Sequence, residues 1–398
     1  MKMFRRLLSA FLAAAVAATT AGITVFADGA GGDSGDNYYF VGGYEEPRFI
    51  DQYGNEIIPN YKSDSIVVPM ASATSSYFNL VDEGRVASYV KDQNPTNTCW
   101  AHAALASSES SMITKGYADT SINYSVGHLA WFVNGPGITD TTDPLYGDVK
   151  NQSTAKGAYE ALGSPYDAIG ALASWTGAEL ESRFPFSKAL QYYYPAESMR
   201  YDSYAHLQNA FTFDTSDKTS IKNALVNNGA LTISFHTPVN STEYSAYYNS
   251  STAAYMSDTT SSNHAVTLVG WNDNYSRTNF NSANRPTSNG AWICKNSYGA
   301  DYGKNGIFYI SYEEPSVRSI FCYDMEKTNN YNHNYQYDGA VGVTTNDNGS
   351  FYNFYSAKVD WTTANVYTSV DGSKLSAVGF YTIQADTQYK VSVITGVS

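Results

Sequence analysis

The chain is 398 residues long with a formal net charge of −13, and only 15% of its residues are charged while 35 are tyrosine. Such an acidic chain has nothing with which to neutralise a run of phosphates, which excludes nucleic-acid binding; 43% hydrophobic content excludes wholesale disorder. Three widely spaced cysteines, Cys99, Cys294 and Cys322, make neither a disulfide framework nor a zinc motif.

Lys2, Arg5 and Arg6 precede an apolar run from Leu7 to Phe26, which closes on Val25-Phe26-Ala27 before Asp28. A basic start, an apolar middle and compact residues at the cleavage positions are the layout of a secretory signal peptide, with cleavage expected after Ala27. The run is nearly long enough to span a bilayer, but Thr19, Thr20 and Gly22 dilute it. Cleavage is therefore favoured over a retained anchor. The protein is expected to be secreted, extracellular or associated with the cell surface, with no membrane span after cleavage.

Residues 28–76 are rich in Gly, Asp and Tyr without a sustained period. They read as a flexible leader followed by short extended pieces such as Ser65-Ile66-Val67-Val68-Pro69, with a short propeptide as the alternative. A long charged helical pattern of the kind an autonomous inhibitory prodomain needs is missing. The strongest helical signal runs from Cys99 to about Lys115 and stops at Gly116, with Trp100, Ala103, Ala104, Leu105 and Met112 on its apolar side. Further helices are predicted over 155–162, 168–175 and 220–227.

After Gly229 the pattern turns to short β-branched and aromatic runs over 230–235, 265–271, 291–295 and 306–312. A helix-rich half followed by a strand-rich half is an α+β plan with two lobes. From about Pro315 the chain is rich in Asn and Tyr, with strands predicted over 364–368, 376–383 and 389–394. That composition suits a partial β-sandwich, a module expected to be truncated because the chain stops on an apparent strand.

Four positions belong together chemically. Cys99 opens the Ala-rich helix, where the dipole and free N–H groups favour a thiolate. His264 opens the run His264-Ala265-Val266-Thr267-Leu268-Val269-Gly270-Trp271, and a nearby imidazolium lowers a thiol further. Asn296 closes the run that begins at Ala291, and an amide there can fix the tautomer of the histidine. Gln93, six residues before Cys99, can join the Cys99 backbone N–H in binding an oxyanion.

The blocks QNPTNTCWAHAALASSES, NHAVTLVGW and WICKNSYGADYGKNGIFYISY resemble the three signature blocks of the papain-like cysteine peptidases. The order Gln, Cys, His, Asn is shared, as are the interval from Gln93 to Cys99, the Trp after the Cys, and Glu109 ten residues on. The resemblance covers about 77–312, and it implies a papain-like two-lobed fold with a helical lobe and a β-barrel-like lobe. It also implies that Cys99 is the nucleophile, His264 its partner and later general acid and base, Asn296 the orienting residue, and Gln93 the oxyanion donor. The trailing segment is similar to the lectin-like module that follows such domains in secreted bacterial peptidases. The domains implied are a signal peptide at 1–27, a leader at 28–76, a peptidase at 77–314 and a lectin-like module at 315–398.

Several positions depart from the family pattern. Thr96 stands in the region of a partner cysteine, Asn97 and Thr98 replace a small pair, and Tyr298 stands where a Trp usually covers the His–Asn bond. Leu162-Gly163-Ser164-Pro165 resembles the loop that hydrogen-bonds the substrate backbone, an ordinary helix-ending Gly being the alternative. Gly163, Ser164 and Tyr298 are thus candidate substrate contacts. Cys294 and Cys322 read as packing thiols and His102 as a structural histidine.

The function expected is a secreted cysteine endopeptidase acting on polypeptide substrates, with no cofactor or metal. Contact with glycan or cell wall through the trailing module is a further expectation. The competing reading is a catalytically silent adhesion or carbohydrate-binding protein on the same scaffold. A cell-wall amidase is disfavoured, because those families lack the block with Gln before Cys.

Overall fold

A computed structural model of the protein describes residues 42–51, 53–59, 75–136, 154–335, 366–370, 372–382 and 387–394, and the backbone of 343–346 and 349–353. The predicted signal peptide, the first part of the leader and residues 60–74 lie outside the described residues. No helix among the described residues is long and apolar enough to cross a membrane.

The leader supplies two short strands, β1 (Phe49–Ile50) and β2 (Glu56–Ile57), and β3 (Tyr77–Asn79) follows it. Helix α1 (Cys99–Thr114) starts with Thr98 as its N-cap and ends before Gly116, whose φ of +67° suits a left-handed stop. The helix is buried almost all round, not along one apolar side as predicted. Its buried serines are bonded: Ser110 Oγ donates to Arg85 O at 2.6 Å and accepts from Ala230 N at 2.8 Å, and Ser111 Oγ accepts from Met325 N at 3.0 Å. Hydroxyls thus let a polar helix face pack inside the protein without unmet donors.

Helix α2 (Val126–Asn134) was not legible, because every one of its residues is buried and an all-round apolar run has no periodic polar face to read. Helices α3 (Ala155–Glu160) and α4 (Pro165–Ala173) follow. The latter begins before the predicted start, at a proline in its first turn, where a missing N–H costs nothing. Helices α5 (Phe186–Ala189), α6 (Lys218–Asn228) and α7 (Ser241–Tyr247) complete the helical set among the described residues.

The remaining strands are β4 (Ala205–Thr212), β5 (Leu231–Phe235), β6 (Tyr248–Asn249), β7 (Ala254–Tyr255), β8 (His264–Asn272), β9 (Ala291–Lys295), β10 (Ile307–Ser311) and β11 (Ile320–Lys327). They form one sheet in the order β4-β11-β5-β8-β9-β10-β7-β6, with β3 added on β8. The lobe is therefore sheet-rich but not the closed barrel-like form expected. Strand β8 is buried along nearly its whole length, since α1 packs across it and across β5 and β11. Strand β11 carries the sheet past residue 314: its Ile320, Phe321, Cys322 and Met325 are buried beside β4 and β5. The shift to Asn- and Tyr-rich sequence marks the region's composition, whereas apolar burial keeps residues 320–327 in the sheet.

Beyond it, β12 (Val343–Asn346) and β13 (Gly349–Asn353) form a hairpin that pairs with the leader, β13 running parallel to β1 with Phe49 opposite Tyr352. The strands predicted over 364–368, 376–383 and 389–394 are not formed where residues are described. Val378, Phe380, Val391 and Ile394 are exposed there and no ladder receives them. Alternation of apolar residues specifies a strand only when a neighbour completes its hydrogen bonds.

Candidate active site

Cys99 is the first residue of α1 and is fully buried. It packs with Ala103, Ala265 and Tyr44, and the backbone N–H groups of Ala265 and Trp100 point at the thiol. Ala265 is the second residue of β8, so the thiol lies against the strand that His264 opens.

The β8–β9 ladder ends at Thr267 opposite Lys295, which brings the next residue, Asn296, within reach of His264. His264 Nε2 and Asn296 Oδ1 are 2.9 Å apart. Asn296 Oδ1 also accepts from Ser297 N at 2.8 Å, which fixes it as an acceptor. Nε2 therefore carries the proton and Nδ1 keeps its lone pair. Among the described residues Nδ1 has no hydrogen-bond partner. Tyr298 stacks on the imidazole at 4.8 Å with 24° between planes, and Phe235 meets it edge-on at 5.7 Å. These rings exclude water from the His264–Asn296 bond.

Gln93 is wholly buried, and its carboxamide is oriented by two contacts: Oε1 accepts from Ser297 Oγ at 2.6 Å and Nε2 donates to Thr96 O at 3.1 Å. Nε2 also donates to Gly42 O at 3.3 Å. The segment carrying Gln93 is anchored from inside by Lys91, which pairs with Glu109 at 3.0 Å, and by the bond from Gln93 N to Ser297 O at 2.9 Å.

The leader residues 42–45 lie in the cleft between these groups, where sequence composition pointed to a flexible segment. Gly43 N and Tyr44 N both donate to Asn263 O at 3.2 Å. Gly163 N donates to Gly43 O at 2.8 Å and Glu45 N donates to Gly163 O at 2.9 Å, a parallel bridge centred on Tyr44. Gly43 has φ +137°, and a Cβ on it would come within 2.1 Å of Asn97 O. A Cβ on Gly163 would come within 2.4 Å of the Trp100 indole. Both glycines are therefore required by close backbone approach.

Gly163 thus meets a peptide backbone. Ser164 is buried, with its N–H donating to Asp167 Oδ2 at 2.7 Å, so it opens α4. Tyr298 is buried against His264. The leader's Tyr44 and its acceptor Asn263 were missed by sequence reasoning, although Asn263 directly precedes His264 and the pair Gly42-Gly43 before Tyr44 is a visible mark.

Burial sets the electrostatics. It pushes the Cys99 thiol up to about 12, against the lowering expected from the helix N-terminus, and the His264 imidazole down to about 4. Cys294 and Cys322 are buried free thiols in the sheet core, raised by the same cause. His102 Nδ1 lies 2.9 Å from Thr98 O, and Thr96 and Thr98 share a hydroxyl bond of 2.6 Å in the region that lacks the partner cysteine.

A helical lobe presenting a cysteine from a helix N-terminus, against a sheet presenting a His–Asn pair, defines the papain-like class. Residues 150–332 match the family model described as papain family cysteine protease, and residues 335–398 that described as lectin like domain. The matches thus run, in chain order, from a papain-family cysteine protease domain to a lectin-like domain. It is similar to the cysteine protease and lectin-like domains of Cwp84, a surface layer associated protein of Clostridium difficile, with 28% identity and a TM-score of 0.53 over 64% of this chain and 53% of that chain. It is also similar to clostridial cysteine protease Cwp84 after propeptide cleavage, with 27% identity and a TM-score of 0.56 over 68% of this chain and 64% of that one. The chain thus spans less than two thirds of the length of either structure. Comparison with curated proteins gives no match.

Proposed function

We propose that the protein is a secreted cysteine endopeptidase that cleaves extended polypeptide and is held latent by its own residues 42–45. The observation that carries this reading is the His264 ring, with Nε2 tethered to Asn296 and Nδ1 without a hydrogen-bond partner among the described residues, on the strand whose next residue, Ala265, packs against Cys99. Once the leader leaves, water and substrate reach the pair, and Nδ1 takes the thiol proton. Sγ attacks the scissile carbonyl, and the oxyanion is met by Gln93 Nε2 and the Cys99 N–H. His264 then protonates the leaving amine, and a water activated by the same ring hydrolyses the acyl-enzyme.

Polypeptide as substrate is supported by the groove itself, since Gly163 and Asn263 already bond a backbone. Action outside the cytoplasm is supported by the signal-like first 27 residues and by the description of Cwp84 as surface layer associated. The domain order proposed is signal peptide, inhibitory leader, peptidase and lectin-like module, the last contacting glycan or cell wall.

The test is intact-mass analysis of the wild type and Cys99→Ala after incubation with an epoxysuccinyl inhibitor under reducing conditions, alongside digestion of an unfolded protein. One adduct on the chain, slow while residues 42–45 cover the thiol, and none on the variant is the expected result. No adduct on any form, with no cleavage, would sink the proposal. The lectin-like match favours a second, compatible activity in carbohydrate binding. A glycan array probed with the full chain tests it, and absence of all sugar binding would leave the module structural.

A further inference from the structure

The carboxamide of Asn296 is bonded at its oxygen alone among the described residues. Oδ1 accepts from His264 Nε2 at 2.9 Å and from Ser297 N at 2.8 Å, whereas the buried Nδ2 has no hydrogen-bond partner there. His102, one turn into α1, shows the opposite need. Its Nδ1 lies 2.9 Å from Thr98 O, and a carbonyl only accepts, so Nδ1 carries the proton. Burial lowers this imidazole to about 3, so at neutral pH Nε2 is a bare lone pair. That nitrogen too is buried without a hydrogen-bond partner among the described residues. Both residues are only 3% exposed.

An unmet donor and an unmet acceptor therefore border the same space. Helix α1 packs across β8, and Asn296 follows β9, the neighbour of β8, so the fold brings the two residues to one cavity. The cavity measures about 20 Å³, with Ala106 and Val266 as apolar wall and Lys91, Glu109 and Lys295 as its charged lining. A water needs about 10–15 Å³ and at least two polar partners. By accepting from Asn296 Nδ2 and donating to His102 Nε2 it meets both needs at once. The charges already have partners: Lys91 pairs with Glu109 at 3.0 Å and donates to Tyr124 O at 2.8 Å. Lys295 donates to Ala87 O at 2.8 Å and to Tyr89 O at 2.6 Å. The two lysines would welcome an anion, but the Glu109 carboxylate and the lone pair on His102 oppose one.

The geometry points to a structural water in this cavity that links His102 Nε2 to Asn296 Nδ2, which makes His102 a positioning residue for the His264–Asn296 pair. Its bearing on catalysis rests on the peptidase reading above. With the nitrogen end of the carboxamide free, the oxygen end alone resists rocking of the side chain. With both ends bonded, each bond supports the other. His102 thus acts through Asn296 on the orientation of His264, and not on the substrate.

The experiment uses the full chain with isotope-labelled histidine and reads, by NMR, the exchange of the His264 Nε2 proton with solvent. The His128 Nε2 proton, bonded to Met199 O at 2.8 Å, is the reference in the same spectrum. His102→Phe keeps a ring against Phe186, which the imidazole meets edge-on at 5.0 Å, but removes the acceptor. His102→Gln keeps an acceptor. Relative to His128, the His264 proton is expected to exchange about fivefold faster in His102→Phe, as loss of one neutral hydrogen bond predicts. In His102→Gln it should exchange at close to the wild-type rate. An unchanged ratio in His102→Phe, which is also what a general loosening of the fold would give, overturns the inference. So does a Gln variant that behaves as the Phe variant. A ratio that follows chloride concentration makes the occupant an anion and overturns the assignment of water. Cys99 labelling by an epoxysuccinyl inhibitor, in chains also carrying Tyr44→Ala, should slow with His102→Phe and recover with His102→Gln. Failure of the peptidase reading is distinct: Cys99 takes up no inhibitor in any form, while the proton ratio still follows residue 102.

Discussion

His264 is held from both sides, by the carboxamide of Asn296 at one edge and the ring of Tyr298 on one face. Asn296→Ala removes the tether that orients the imidazole. Misplacement of a catalytic ring by about 1 Å costs about a hundredfold, and a fall of that order in kcat/KM is expected, while circular dichroism remains that of the wild type. The thiol gives a sharper pH signature. With Cys99 pushed up to about 12 and His264 down to about 4 by burial, iodoacetamide alkylation of the full chain should be slow at neutral pH and rise only in alkali. Release of the leader should move that rise to lower pH. The place of Cys99 at the start of α1 and the contact of His264 with Asn296 were legible because each residue sits in a recognisable local block. Tyr44 was not, because a tyrosine in a Gly- and Asp-rich stretch carries no signal until the fold lays it beside Cys99.

At the level of elements, two glycines let residues 42–45 lie close against the domain. Gly43→Ala places a methyl against Asn97 O and demands a φ that L-residues avoid, so the leader should lift while the domain stays folded. Faster labelling of Cys99 with an unchanged Tm is the expected result. Gly163→Ala drives its methyl into the fully buried Trp100 ring, where neither side has room to yield. Overpacking of this kind costs about 1–3 kcal/mol, so a lower Tm accompanied by lost peptide cleavage should follow. The contrast shows which parts of the fold sequence reveals. Helix α1 and strands β5, β8, β9 and β10 fall where periodicity and composition put them. Helix α2 and strands β4 and β11 owe their state to neighbours distant in sequence, and the buried serines of α1 hide a core helix behind polar residues.

Over the whole molecule, the leader links the cleft to the hairpin of β12 and β13, and its Phe49 is buried among α1–α4 with its ring edge-on to Tyr166 at 5.2 Å. Global stability should carry the imprint of buried histidines. Burial lowers His102 to about 3, and His128 and His264 to about 4. An unfolded histidine takes a proton near pH 6.5, so below that pH the unfolded chain binds protons that the folded chain refuses. Their stability contribution is complete above pH 6.5 and is lost as pH falls toward 4. Glu181 and Glu314, raised by burial, act in the opposite sense, so one residue is best isolated. His102→Phe should lose less Tm than the wild type between about pH 7 and about pH 5; an equal or greater loss would contradict this assignment.

The central claim is that Cys99 is a nucleophile paired with His264 and covered by residues 42–45. It is tested most directly by the rate at which an epoxysuccinyl inhibitor adds to the full chain, followed by intact mass and peptide mapping in the wild type and in Tyr44→Ala. A single adduct on Cys99, forming at least about tenfold faster in Tyr44→Ala, is predicted. No adduct on Cys99 in either protein, or the same rate in both, would contradict it.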